Sequence, residues 1–440
     1  ARALARRAFW RRKALISVLG APFILPVIVA VFGLLAVFGR AGLLNSGLAY
    51  LGLPTVSIYG FHGVVLAHVF FNLPLATRLL LQGWAAIPAE RFRLAASLNL
   101  PVWRYLEWPM LRNAVPGAAL VIFLICLTSF AVALTLGGGP KSTTLELAIY
   151  QALRFEFDLG KAALLAGLQF FICAIALFLS RSITLPDALS GGFDRPVQRW
   201  DRGLSRWVDA VVITAGALFL IIPLAMVLLR GLPSLAEMPA SVWGAALRSV
   251  FIALCSAALC LSLALAMSFQ RNTLTALSGA LPLAASSLVT GTGLFILVFQ
   301  FISPGAVTLP IVIVVNAVVA LPFAHRIIAP AMEQAEIQYG KLASALGLSG
   351  WARLRIVLLP RLRGPLGFAA GLVAAMSMGD LGVIALFASE NQATLPLLMA
   401  RLIGAYKMQA AAGVGLVLVV LSFGLFWIFD RGGRSHRVGA

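Results

Sequence analysis

Charged residues are scarce in this chain. Only 11% of its 440 residues are Asp, Glu, Lys or Arg, whereas a water-soluble domain carries about a quarter. Hydrophobic residues make up 61% of the sequence, and the mean hydropathy is +0.98. These values exclude a soluble globular protein and indicate an integral membrane protein.

Acidic residues are the scarcer kind of charge. The chain has 15 Asp and Glu against 34 Lys and Arg, which gives a formal net charge of +19. Nucleic-acid binding would need these basic residues on a solvated face, but they lie between apolar runs, so nucleic acid is not an expected partner. Anionic lipid head groups and the acidic surface of a cytoplasmic partner match the charge better.

Cysteine is also rare. The chain has four cysteines, which all fall inside apolar runs: Cys126, Cys173, Cys255 and Cys260. This placement favours small packed residues and indicates neither a disulfide framework nor a metal site. His62 and His68 are six residues apart, a spacing that separates them around a helix. We therefore expect no metal and no cofactor.

Long apolar runs are abundant, and ten of them can cross a hydrocarbon core of about 30 Å. Because the bilayer offers no water to unpaired backbone groups, runs of this length that do not alternate in polarity must be helices. The sequence therefore predicts an all-α polytopic membrane protein. The runs are Ala14 to Phe38, Phe61 to Leu81, Asn113 to Leu136, Ala162 to Thr184, Val208 to Leu229, Ala245 to Phe269, Leu274 to Ile302, Ala306 to Pro330, Gly364 to Phe387 and Met408 to Phe429.

The basic residues give the orientation of these runs. The first thirteen residues, ARALARRAFWRRK, are strongly basic, and the run that follows lacks the features of a cleaved signal peptide. With the N-terminus inside and ten alternating spans, 26 Lys and Arg fall on the inner side and 8 on the outer side. The positive-inside rule therefore predicts that both termini are cytoplasmic.

Two stretches of the chain resemble each other at an offset of 248 residues. Asn72 to Arg78 (NLPLATR) matches Ala320 to Arg326 (ALPFAHR), and Leu94 to Leu98 (LAASL) matches Leu342 to Leu346 (LASAL). The tryptophans Trp103 and Trp351 keep the same offset. A repeated pattern in polar segments indicates two homologous halves, which we place at residues 1–207 and 208–440.

Each copy of the repeat predicts a cytoplasmic loop with a short Ala-rich helix, a turn, a second short helix and a Pro before the next span. Since both copies lie on the inner side, the halves are parallel repeats. Small residues allow a partner to approach a helix closely, although an ordinary connector at the membrane face is the alternative. The candidate docking residues are Glu90, Ala95, Ala96, Ser97, Asn99 and Pro109 in the first loop, and Ala343, Ser344, Ala345, Gly347 and Pro360 in the second.

These loops resemble the EAA loop of binding-protein-dependent ABC importer permeases, in which two Ala and a later Gly precede an Ile-x-Leu-Pro pattern. The second copy matches from Gly347 to Pro360. The first copy departs from the pattern, because Asn99 replaces the Gly and its acidic residue is displaced to Glu90. Asn tolerates the left-handed backbone conformation that Gly usually provides, but the pattern alone does not determine how tight the turn at Asn99 is.

Further segments resemble the thiamine permeases among the fused two-half members of this superfamily. They are Leu25 to Gly39, Leu66 to Leu81, Leu136 to Ala152 (LGGGPKSTTLELAIYQA), Gly379 to Phe387 (GDLGVIALF) and Thr394 to Pro396. Together they span most of the chain. That family has twelve spans, and the alignment starts just before the third, so the resemblance implies that the first two family helices are absent from this sequence.

The resemblance implies a bacterial inner-membrane permease that imports thiamine, or its phosphates, and is not itself an enzyme. A separate ABC ATPase dimer would bind the two cytoplasmic loops, and a periplasmic thiamine-binding protein would meet the outer segments, Gly137 to Gly160 and Ser389 to Met408. A ferric-iron or polyamine permease is the alternative within the class. An ion-coupled secondary transporter is the alternative outside it, but such proteins usually need several buried charged sites.

Asp380 is the acidic residue placed well inside an apolar run, in the segment Ser377 to Gly382. A charge there costs about 2.5 to 3.5 kcal/mol on insertion scales and is usually functional or paired. One interpretation is a contact for a cationic solute, with Ser377 and Ser129 as further candidates along the pathway. The other interpretation, of equal weight, is an interhelical hydrogen bond to Ser or Thr or a position already in contact with water.

Overall fold

All regular secondary structure in the described part of the chain is helical, as the apolar runs predict. The computed structural model describes residues 1–20, 24–137, 139, 142–179, 204–269, 282, 285–302, 307–388 and 392–434. Within these ranges, nine helical segments are long and apolar enough to cross a membrane. The fold class predicted from the sequence is therefore confirmed.

The helices begin and end close to the predicted runs, with breaks that the sequence did not mark. In chain order they are α1 (Arg2–Arg6), α2 (Arg12–Val18), α3 (Val27–Phe38), α4 (Leu43–Tyr50), α5 (Phe61–Ala85), α6 (Ala89–Ser97), α7 (Trp108–Leu127), α8 (Phe130–Leu136), α9 (Leu145–Arg154), α10 (Leu159–Leu179), α11 (Ser205–Gly231), α12 (Ser241–Phe269), α13 (Ser287–Phe299), α14 (Thr308–Ala345), α15 (Gly350–Arg353), α16 (Leu359–Gly379), α17 (Gly382–Phe387), α18 (Leu395–Gly404) and α19 (Met408–Arg434).

One compact unit comprises Ala1–Phe23, Ala30–Thr143 and Ile172–Leu228. In this unit α5 packs against α7 and α8, and α1 packs against α5. Gly33 permits a close helix contact, since a Cβ there would lie 2.6 Å from the Pro223 carbonyl oxygen. Small residues at such crossings let backbones approach and gain dispersion contacts, which drive helix association in lipid.

The other compact unit comprises Ile24–Val29, Thr144–Phe171 and Leu229–Ala440. Its centre is formed by α12, α14, α16 and α19. Glycines on α16 again set the spacing, because a Cβ on Gly367 would lie 2.5 Å from the Phe429 carbonyl oxygen of α19. These units do not coincide with the two halves, 1–207 and 208–440, that the sequence repeat predicts. The division into two homologous halves stays a prediction.

Two of the predicted runs contain a break in the helix. The run Asn113 to Leu136 is divided into α7 and α8 by Thr128 and Ser129, and the run Gly364 to Phe387 is divided into α16 and α17 by Asp380 and Leu381. In each case a side chain capable of hydrogen bonding stands at the break, where it can satisfy backbone groups freed by the interrupted helix.

The seventh predicted span, Leu274 to Ile302, is represented by the 13 residues of α13. Part of that run, like the end of the fourth run at 180–184, lies outside the described residues. The eighth run was predicted to end at Pro330, but α14 continues through the predicted loop to Ala345. The second loop therefore begins as an extension of its span rather than as a separate short helix.

Candidate functional site

The first loop is built around α6, which follows the extended residue Pro88 and carries Glu90 in its first turn. Phe92 and Ala95 are buried, and Ala95 is only 4% exposed. Ala96 and Ser97 are exposed, as is the neighbouring Leu94 at 59%. The three predicted small residues therefore do not form one contact surface, because Ala95 faces the interior of its own chain.

The second loop presents the same pattern on the last turns of α14. Ala343, the counterpart of Ala95, is 1% exposed, whereas Ser344 and Ala345 are exposed. Leu342, the counterpart of Leu94, is 57% exposed. Leu98 and Leu346 are likewise both exposed. Each loop thus displays two leucines one helical turn apart, beside small exposed residues.

Both helices end in the same hydrogen-bonded turn. In the first loop the Leu100 amide donates to the Ala95 carbonyl at 2.8 Å, and the Asn99 amide donates to the Ala96 carbonyl at 3.2 Å. In the second loop the corresponding distances, from Leu348 to Ala343 and from Gly347 to Ser344, are 2.9 and 3.1 Å. This is the Schellman arrangement, which needs a left-handed residue after the helix.

Asn99 provides that left-handed residue with φ of 50°, and Gly347 does so with φ of 67°. The structure therefore answers the question that the sequence left open, because Asn99 supports the same turn as Gly347. Because the backbone path is the same with either residue, the departure from the Gly pattern does not change the loop geometry.

A π-helical turn precedes the next span in both loops. It covers Trp103–Glu107 in the first loop and Leu354–Leu358 in the second. Pro109 and Pro360 follow as the second residues of α7 and α16. A Pro ring clashes with the carbonyl four residues earlier in a regular helix, and the wider π turn contains that carbonyl in both loops. Such turns are frequent at functional sites.

The loops differ at the last residue of the π turn. Glu107 is fully buried and accepts from Arg2 Nε at 2.9 Å, Arg6 Nη2 at 2.6 Å and Trp84 Nε1 at 3.2 Å. Leu358, its counterpart, is 1% exposed and packs against Met332, Ala335 and Leu362. Sequence reasoning missed Glu107. The available signal was that the repeat aligns this acidic residue with the apolar Leu358.

The loops are also held by different aromatic and ionic contacts. The Arg2 guanidinium lies 5.3 Å from the centre of a Trp103 ring in the first loop. In the second, Arg361 lies 4.1 Å from the centre of the Tyr339 ring, and Arg353 pairs with Glu336. These contacts fix each π turn against its own surroundings.

The three predicted pathway residues belong to different compact units. Ser129 precedes α8 in the first unit. Ser377 and Asp380 lie in the second unit, where Asn316 Nδ2 donates to Ser377 Oγ at 2.8 Å and the Asp380 amide donates to the Ser377 carbonyl at 3.3 Å. The Ser287 hydroxyl and the backbone amides of Gly382 and Val383 donate to the Asp380 carboxyl.

A second buried acid, Glu146, lies near Asp380 in the same unit and was missed by sequence reasoning. It stands in the first turn of α9 and is 1% exposed. Gln169 Nε2 of α10 donates to Glu146 Oε1 at 2.5 Å. Burial raises the pKa of Glu146 to about 7, hydrogen bonds from Ser286 and Gln169 lower it, and the Asp380 charge raises it further. Such perturbed acids are enriched at functional sites.

The chain is similar over nearly its whole length to permeases of one transport system. It is 42% identical over 455 residues to the "Thiamine transport system permease protein ThiP" of Salmonella typhimurium, covering 98% of this chain and 84% of that protein. Identity to the protein of the same name from Escherichia coli is 40%, with the same coverage. A shorter match, 30% identical over 186 residues, covers 40% of this chain and 81% of the "Molybdenum transport system permease protein ModB" of Azotobacter vinelandii. No family model matches the sequence.

Proposed function

This chain belongs to the family of thiamine transport system permeases, and we propose that it is the membrane subunit through which an ATP-driven importer moves thiamine into the cytoplasm. The observation that carries the proposal is the pair of matched loops, with the same capped turn, exposed leucines and π turn. A connector has no need of such repeated detail, whereas a two-fold motor needs two equivalent contacts.

The proposed contact with the ATPase is made by the exposed face of each loop. Leu94 and Leu98, and their counterparts Leu342 and Leu346, present apolar side chains that a partner groove can cover. Aromatic and basic residues flank them, among them Trp103, which is 46% exposed. Interfaces gain most of their binding energy from a few such anchors. A separate ATPase subunit would then push on both halves.

The proposed contact with a periplasmic thiamine-binding protein uses the outer segments. Each contains a ten-residue helix preceded by a Thr in extended conformation, Leu145–Arg154 after Thr144 and Leu395–Gly404 after Thr394. Each helix carries an Arg in its last turn, Arg154 and Arg401. Residues 138, 140–141 and 389–391 of these segments lie outside the described part of the chain.

The proposed orientation in the bacterial inner membrane follows the distribution of basic residues. Placing both loops and both termini in the cytoplasm puts 26 of 34 Lys and Arg on the inner side. Trp10, Trp103 and Trp351 are all exposed in the basic segments assigned to that side. Tryptophan favours the head-group region, where its ring meets both apolar and polar surroundings.

The test is uptake by proteoliposomes that contain the permease, its ATPase and a thiamine-binding protein. We expect labelled thiamine to accumulate inside only when ATP is supplied on the loop side. Thiamine phosphates, ferric iron and spermidine are added as competitors to determine the substrate class. Accumulation of iron or polyamine without thiamine, or thiamine uptake driven by an ion gradient without ATP, would overturn the proposal.

A further inference from the structure

Glu146 and Asp380 are brought together by three elements of one unit. The helix α9, which carries Glu146, packs against α13 and α17. Asp380 lies at the start of α17, and Ser286 and Ser287 lie at the start of α13. A Cβ added to Gly382 would lie 2.5 Å from Ser287 Oγ, so these two helix starts are in close contact. The site is therefore assembled by packing rather than by sequence proximity.

Each carboxyl has one oxygen in use and one without a partner. Glu146 Oε1 accepts from Gln169, Ser286 also hydrogen-bonds the Glu146 carboxyl, and the Asp380 carboxyl accepts from Ser287 and two backbone amides. Glu146 Oε2 and Asp380 Oδ2 are shielded from solvent and have no hydrogen-bond partner among the described residues. A buried carboxylate oxygen strongly favours a donor or a positive charge, and two of them in one place favour a cationic ligand.

The surroundings favour an organic cation over a metal ion. Mg²⁺ needs six ligands in octahedral geometry and Ca²⁺ needs six to eight oxygens, whereas this pair offers two uncommitted oxygens. An organic cation needs no such set of oxygen ligands, so two carboxylate oxygens suit it better than either metal ion.

We propose that Glu146 and Asp380 form a recognition site for a heterocyclic organic cation on the translocation route. This inference rests on the proposed function, because thiamine carries a positively charged thiazolium ring and would be the cation recognised. Glu146 and Asp380 attract that charge, and Gln169 and Ser287 orient the two carboxyls.

The experiment measures thiamine uptake and ATP hydrolysis by the complete transporter carrying Glu146→Gln or Asp380→Asn. Losing one charged contact should reduce uptake at low thiamine concentration by about tenfold. ATP hydrolysis stimulated by the binding protein should change less than twofold, because it reports docking rather than recognition of the cation. Glu146→Asp, which keeps the charge, should recover part of the uptake. The matched control is Glu237→Gln, which removes an exposed acid of the same unit and should leave both activities unchanged.

The outcomes separate the inference from the proposed function. If both variants take up thiamine as fast as the unaltered transporter and transport as much of it per ATP hydrolysed, the recognition site is overturned. Equal loss of uptake and of ATP hydrolysis, with the variants still monodisperse in detergent, would overturn it in favour of a structural role. Failure of the unaltered transporter to accumulate thiamine would instead overturn the proposed function.

Discussion

The two loops that end in the Schellman turns reach one backbone geometry from different side chains. Asn99 and Gly347 adopt the same left-handed turn, and Glu107 and Leu358 occupy the same buried position after equivalent π turns. The turn position accepts either Asn or Gly because the turn requires only a positive φ angle there. The second has diverged chemically, since one loop uses a buried ion-pair network and the other an apolar core. The exposed leucines are retained in both, which is the pattern expected if a partner contacts them.

The largest expected effect comes from placing the first loop's acid in the second loop. Leu358→Glu would bury a carboxylate among the apolar side chains of Met332, Ala335 and Leu362. We expect a loss of at least about 3 kcal/mol of stability, seen as aggregation during size-exclusion chromatography in detergent. Leu358→Met, which conserves volume, should lower stability by less than about 1.5 kcal/mol. Normal behaviour of the Glu variant would show that this position is not an apolar core.

The next effect tests the network around Glu107. Glu107→Gln removes the negative charge but keeps the shape, so Arg6, which is mostly buried, loses its ionic partner. We expect a loss of about 2 kcal/mol, measured as a lower thermal transition followed by tryptophan fluorescence. Arg2 is about half exposed, so Arg2→Gln should have a smaller effect. If Arg2→Gln destabilised the protein as much as Glu107→Gln, the assignment of the network to a buried pair would be wrong.

A third effect compares the outer segments, in which Glu146 aligns with Pro396. Because the pKa of Glu146 is raised to about 7 by burial, the group gains a proton and loses its charge as the pH falls through 7. Of the groups facing it from the packed elements, Asp380 is the other carboxyl, whereas Gln169 and Ser286 do not titrate in this range. Thiamine uptake should therefore fall by several-fold between pH 8 and pH 6.

The control for this pH dependence is Glu146→Gln, in which uptake should be low and flat over the same range. Stimulated ATP hydrolysis is measured in parallel, so that a general effect of pH on the motor is recognised. An unchanged pH profile in Glu146→Gln would remove Glu146 as the titrating group.

The smallest effect concerns the turns. Gly347→Ala and Asn99→Ala each put alanine in the left-handed conformation, where its Cβ is strained and it has no polar side chain to compensate. Each variant should lose about 1 kcal/mol of stability. Gly347→Asn copies the first loop into the second and should change stability by less than about 0.5 kcal/mol. Thermal transitions of the three purified variants give the comparison. A Gly347→Asn variant as unstable as Gly347→Ala would show that the two turns are not equivalent.

These effects show which features the sequence determines locally. The left-handed turn at Asn99 follows from the residue and its neighbours, because the Schellman bonds join residues at most five apart. The helical class follows from the length of the apolar runs. The identity of the exposed residues does not follow, because LAAS and LASA look alike, and only the packing of the helix shows that Ala95 and Ala343 face inward.

The remaining site features depend on residues that are distant in sequence. The Glu107 carboxylate accepts its hydrogen bonds from Arg2, Arg6 and Trp84, which are 23 to 105 positions away in the sequence. The pair of Glu146 and Asp380 needs α9, α13 and α17 to meet. The breaks at Ser129 and Leu381 were also missed, since each lies inside a long apolar run whose few polar residues do not by themselves mark the end of a helix.

The central claim is that both loops bind an ATPase, and co-purification of that subunit with matched loop variants tests it most directly. Leu94→Glu and Leu342→Glu replace exposed leucines, so each variant should keep its own stability within about 0.5 kcal/mol. Each should lose the ATPase, because a carboxylate in a covered apolar groove is strongly disfavoured. Leu94→Met and Leu342→Met should retain it. Retention of the ATPase by either Glu variant would show that its loop is a connector and would contradict the account.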